Sequence, residues 1–163
     1  MTEPDNEESP LRAELATLML RAATLFHKDP RGARKAFLEA RRVALKLGDR
    51  TEAVCASMGA AHVVRSGGNR AAARRLYKRI AREAPDFAPV FRTLALVETE
   101  LANELVEAGD ISSAVTLYAS AARQHRHAVE LLEREGAPDV ATERQLENWV
   151  LARLTKVRGL KSG

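Results

Sequence analysis

The residues of this sequence that could do chemistry are charged, and their spacing suits recognition rather than bond-making. His125 and His127 flank Arg126. Two residues apart on a helix, they diverge by about 200° and cannot share a metal ion; Arg123 and His127 share a face instead. His125 continues a stripe of Ala114, Tyr118 and Ala121 and is expected to pack half-buried. Glu100, Glu104 and Glu107 fall at i, i+4 and i+7 and share a helix face. No histidine or second carboxylate cluster stands at a spacing that would complete a metal or acid–base site with them. That stripe is expected to be solvated, or to dock a basic patch on another copy. Cys55 is the single cysteine, which excludes an intrachain disulfide, fits a reducing compartment and reads as a small core residue. There is no glycine-rich phosphate loop, no Cys/His ligand spacing and no Ser/His/Asp set in a strand context. The expectation is a protein that is not an enzyme and uses neither cofactor nor metal.

The strongest charge pattern is basic. Residues 30–47 carry Arg31, Arg34, Lys35, Arg41, Arg42 and Lys46, and residues 69–84 carry Arg70, Arg74, Arg75, Lys78, Arg79 and Arg82, opposed by Glu39 and Glu83 alone. The whole chain has a formal charge of +4 and a pI near 9.6. The two readings are a solvated, arginine-rich outer face and an anion-binding surface for RNA, DNA or an acidic protein. Phe37 and Tyr77 should point into the core, so stacking on single-stranded bases is not expected and phosphate contact would be largely sequence-independent.

The elements that position these residues are helices. Aromatics make up 4% of the chain, and glycines and prolines fall between periodic stretches. No alternating Val/Ile/Thr run suggests a sheet. Ser9-Pro10 is expected to open the first helix and residues 1–8 to form a disordered acidic tail. Asp29-Pro30 opens the second helix, with Ala33, Ala36, Phe37, Ala40 and Ala44 on one face, and Gly48 closes it. Asp49 and Glu52 cap a third helix over 50–66 that is apolar on several sides. Gly68-Asn69 starts the fourth, Pro85-Asp86 caps the fifth (about 87–108), and Gly109-Asp110 starts the sixth (to about 135). After Gly136-Ala137-Pro138-Asp139 a seventh helix follows, and residues 158–163 are expected to fray. The pair Ala73/Tyr77 recurs as Ala33/Phe37 and Ala114/Tyr118, a period of about 40 residues that marks a helical repeat. Short turns make sequential helices antiparallel neighbours. The fold class is all-α: one domain over 9–157, with repeats at about 11–47, 50–85 and 87–135 and a C-terminal capping helix at about 139–157. Trp149 is expected to anchor that cap against the third repeat.

With those residues placed, the chain resembles the tetratricopeptide repeat family over residues 11–135. The resemblance rests on Ala61, Gly68, Ala73, Tyr77 and Pro85, on Phe91, Leu94, Ala95, Gly109, Ala114, Tyr118 and Ala121, and on Ala33, Phe37 and Ala40 before Leu47-Gly48-Asp49. Ile80 stands where a small residue is usual, and the third repeat has His-Arg where a closing proline would fall. The resemblance implies a right-handed α-solenoid whose concave groove holds a peptide or helix of a partner protein, in a small adaptor of prokaryotic type. By position in the repeat, the groove-lining candidates are Met58, His62, Arg65, Arg92, Leu96 and Thr99. Members that clamp a C-terminal carboxylate carry Lys and Asn where Met58 and His62 stand, so that ligand is not expected. In such a solenoid the two basic helices would lie about 10 Å apart on the convex side, close to one Debye length, and act as a single field. Basic and acidic faces on one molecule make a homo-oligomer a further expectation. No apolar run approaches the roughly 20 residues of a membrane span, and the acidic start is the reverse of a signal peptide. A cytoplasmic protein with no membrane contact is expected.

Overall fold

A computed structural model describes residues 5–160, with side chains from Pro10 onward. Every regular element among them is a helix: α1 (Asp5–Leu25), α2 (Pro30–Lys46), α3 (Arg50–Ser66), α4 (Arg70–Glu83), α5 (Ala88–Glu107), α6 (Ile111–Glu135) and α7 (Val140–Leu160). No helix of the described residues is long and apolar enough to cross a membrane. The chain divides between Asn69 and Arg70 into two compact units.

The helix boundaries follow from local chemistry. Asp29 and Asp49 accept hydrogen bonds from the backbone N–H of Gly32 and Glu52, each at 3.0 Å, and Asp110 accepts from Ser113 at 3.1 Å. Each thereby occupies an N–H that the first turn leaves free. Gly48 closes α2 and Gly136 closes α6 at φ of 69° and 64°, a left-handed conformation that a Cβ disfavours. Two boundaries differ from expectation. Helix α1 starts at Asp5 rather than at Ser9-Pro10, so Pro10 lies inside it. Only one helical turn precedes that proline, so its missing N–H removes little of the ladder. Residues 1–4 of the expected tail lie outside the described residues, as do 161–163, and 158–160 continue α7. Asp86 does not cap α5; Phe87 occupies the cap position without a side-chain hydrogen bond.

In the first unit α2 packs against both α1 and α3. Its buried face is Ala33, Ala36, Phe37, Ala40, Val43 and Ala44. Small side chains let helices approach closely, and Gly59 of α3 marks the tightest point. A Cβ built there would lie 2.4–2.7 Å from the Phe37 ring. Gly59→Ala is therefore expected to destabilise the protein by about 1–3 kcal/mol, although alanine is the better helix former by about 1 kcal/mol. Phe37→Leu in the same chain should return part of the loss, as read by urea unfolding.

In the second unit α4 packs on α5, α5 on α6 and α6 on α7, with a smaller contact between α5 and α7. One core joins α5 (Ala95, Ala102), α6 (Ala114, Tyr118, Ala121, Ala122) and α7 (Val150, Leu154, Val157). The repeated pairs occupy equivalent buried positions across the chain. Ala33, Ala73 and Ala114 are fully buried, and Phe37, Tyr77 and Tyr118 are 8%, 0% and 1% exposed.

Candidate partner-binding strip

Polar contacts along α5 and α7 fix how the two helices run. Near the start of α5, Arg92 places Nε 2.8 Å from Glu143 Oε2 and Nη1 3.3 Å from Asp139 Oδ2, both at the N-terminal end of α7. About three turns further along α5, Asn103 accepts the hydroxyl proton of Tyr118 on α6. The Tyr118 hydroxyl also feels the charge of Arg153 on α7, again about three turns beyond Glu143. The helices therefore run parallel, and the face of α5 that carries Arg92, Leu96 and Asn103 borders the face of α7 that carries Leu146, Trp149 and Arg153.

Leu96, Leu146 and Trp149 are 45%, 43% and 45% exposed. By helix register they fall along one line on the parallel α5 and α7, an apolar strip with Arg92 toward one end and Arg153 toward the other. The Arg153 guanidinium lies over the indole, 5.1 Å from the ring centroid, a contact worth about 0.5–1 kcal/mol at an exposed site. Arg153 has no carboxylate partner among the described residues. Burial pushes the Tyr118 phenol up, partly offset by Arg153. The strip thus offers apolar area with the Arg153 cation beside it.

A buried ionic cluster holds the strip's two helices together. Glu143 is fully buried in the first turn of α7. Its Oε1 accepts from His125 Nδ1 on α6. Arg92 Nε sits close to Oε2 but off the hydrogen-bonding direction, so that contact is an ion pair without an aligned donor. Beside the cluster, Arg126 pairs with Glu147 at 2.8 Å and Arg144 with Glu133. The ring of His127 meets the Phe91 ring edge-on at 4.4 Å, and its Nε2 lies 3.2 Å from the Pro85 carbonyl oxygen.

The six groove candidates divide between the two units. Arg92 and Leu96 lie on the strip. Thr99, on the same helix, is buried, and its hydroxyl donates to the Ala95 carbonyl at 2.9 Å, so it presents no group to a ligand. Met58, His62 and Arg65 lie in the first unit. Met58 is buried because α3 is apolar on several sides. His62 and Arg65 are half-buried. Burial, and then the Arg65 charge, lower the His62 pKa. The folded protein accordingly binds fewer protons at His62 than the unfolded chain, whose imidazole titrates near 6.5. This destabilising contribution is absent well above that pH and grows as pH falls through it toward the lower folded value. His62→Asn is expected to flatten the loss of stability on acidification, measured as melting temperature against pH.

The basic face is also divided. Arg70 of α4 pairs with Glu100 at 3.2 Å and Glu104 at 2.8 Å, both on α5. Arg74 reaches fully buried Glu98 with Nε at 2.8 Å and Nη2 at 2.7 Å. These acidic residues of α5 thus meet cations of the neighbouring helix, and the reading of a purely solvated stripe does not hold for Glu100 and Glu104. Arg75, Lys78, Arg79 and Arg82 remain exposed on α4, as do Arg31, Arg34, Lys35 and Arg42 on α2, with Arg41 half-buried. Two further expectations change. Trp149 lies on the open shoulder of α7 rather than in its packed face, which is Glu143, Val150, Leu154 and Val157. His125 is buried to 4% with a carboxylate partner rather than packed half-buried.

The burial of Glu98 and Glu143 was not expected from the sequence. The available signal was a carboxylate set inside an apolar stripe, Leu94-Ala95-Glu98-Ala102 on α5 and Val140-Glu143-Val150 on α7. No protein-family model matches the sequence, and comparison with curated proteins finds no match.

Proposed function

We propose that the protein is a non-enzymatic interaction module of tetratricopeptide-like build that holds a segment of a partner protein along the α5–α7 strip. The build is supported by the helical hairpins and by the buried Ala/aromatic pairs that recur on α2, α4 and α6. The observation that carries the binding role is the apolar strip. Three large side chains, Leu96, Leu146 and Trp149, stay about half exposed where a sealed helix face would cover them. Tryptophan and arginine are the residue types that most often dominate binding energy at interfaces. An apolar side chain of the partner would cover the strip, and a carboxylate near it would meet Arg153.

The test is fluorescence anisotropy with labelled synthetic peptides that pair a leucine or phenylalanine with a nearby aspartate or glutamate, against the same peptides carrying lysine instead. The acidic series is expected to bind the wild-type chain. Trp149→Ala should weaken it about 30-fold, and Leu96→Ser about tenfold. Equal binding by the variants, or no preference for the acidic series, would contradict this function.

A further inference from the structure

We propose that the outward face of α2 is a second docking surface, for an acidic amphipathic helix of a partner protein. The buried face of α2 lies on the other side of the helix and is complete without it. Leu38 and Leu45 nevertheless stand 42% and 51% exposed, seven residues apart along the outward line that Arg31 begins. That is the spacing at which one helix lays a seam along another. Cations border the line: Arg34 on one side, Lys35 and Arg42 on the other. With Glu39, which lies 4.0 Å from Lys35, they surround Leu38 and a space of about 430 Å³ between their side chains.

Charge and apolar area together select the occupant. The exposed face of α4 carries Arg75, Arg79 and Arg82 with no large exposed apolar residue between them. Arginine-rich composition alone therefore does not bring leucines to a surface. Leucines contribute nothing to phosphate contact, and this face has no aromatic ring on which a base could stack. A second copy meeting it through the same face would set cation against cation. A helix with a leucine seam flanked by glutamates satisfies both features: it covers Leu38 and Leu45 and pairs with Arg34, Lys35 and Arg42.

The experiment uses the full chain and a labelled peptide about three heptads long, with leucines at heptad spacing and glutamates beside them. A lysine-flanked counterpart, a single-stranded and a duplex oligonucleotide, and vesicles containing phosphatidylserine serve as competing probes. The glutamate-flanked peptide is expected to bind most tightly, and L38S/L45S to weaken it about tenfold or more. A second variant, R34E/K35E, should weaken the same peptide and admit the lysine-flanked one. Both variants change exposed residues, so melting curves should match the wild type. Unchanged peptide binding in L38S/L45S would overturn the proposal. So would an oligonucleotide or vesicle that binds more tightly than the peptide and is indifferent to the leucine changes.

Discussion

Arg74→Ala is expected to destabilise the second unit by about 3 kcal/mol, whereas Arg75→Ala, one residue along, should change stability by less than about 0.5 kcal/mol. The two arginines look alike in sequence and sit in the same basic run. Arg75 is exposed on the outside of α4. Arg74 turns toward α5, where its Nε donates to one oxygen of a fully buried carboxylate and its Nη2 forms an ion pair with the same oxygen. The other oxygen, Glu98 Oε2, is buried and has no hydrogen-bond partner among the described residues. Removing Arg74 leaves a buried negative charge with no counter-ion, and that uncompensated charge, more than the lost pair, sets the size of the effect. Glu98→Leu in the Arg74→Ala chain should recover most of the stability, because an apolar residue of similar volume needs no partner. Urea unfolding followed by the fluorescence of Trp149, which lies in the same unit, reads the three variants on one scale. A loss at Arg75 as large as at Arg74 would show that the ion pair is not what matters there.

Glu143→Ala should cost about 2–3 kcal/mol. It leaves the His125 Nδ1–H without its acceptor in a buried site and removes the closer carboxylate of Arg92. Arg92 is about one-third exposed and keeps Asp139, so the penalty falls below that of a fully enclosed pair. Glu143→Gln keeps an acceptor for His125 and should cost about half as much. The first two turns of α7 are tied to α5 and α6 by this buried cluster and by the more exposed Arg126–Glu147 and Arg144–Glu133 pairs, whereas Val150, Leu154 and Val157 hold the remainder by apolar contact. Amide hydrogen exchange in Glu143→Ala should therefore quicken over residues 140–148 more than over 150–157. Uniform quickening along α7 would mean that the ion cluster has no local role.

These two pairs mark the boundary between what periodicity reveals and what it hides. The seven helices, their glycine stops and the aspartates at 29, 49 and 110 were legible because each is a local signal. The buried Ala/aromatic pairs were legible because an apolar stripe at helical spacing has to face something. Glu98 and Glu143 were not, since a sequence shows that a carboxylate interrupts a stripe but not that a cation from another helix will meet it. The same limit explains Trp149. On the helical wheel it sits on the flank of the apolar face of α7, close enough to be read as core, and only the position of the neighbouring helices leaves it open. Arg92 and Leu96 were assigned to a groove by repeat position and are at least partly exposed, while Met58 and Thr99 satisfied the same spacing rule and are buried. Spacing assigns a residue to a helix face, and exposure then depends on what packs beside it.

The strip of Leu96, Leu146 and Trp149 is proposed as an open surface that a partner segment covers. Trp149 is the only tryptophan in the chain, so its emission reports on that strip without a label. The most direct measurement is its emission spectrum and quenching by acrylamide, first in the free protein and then during titration with an acidic, leucine-containing peptide. A solvent-exposed spectrum with ready quenching is expected in the free protein. Saturable binding should bring a blue shift and protection from quenching, both lost in Leu96→Ser. An indole already shielded in the free protein, or a peptide that binds without altering its emission, would contradict the proposal.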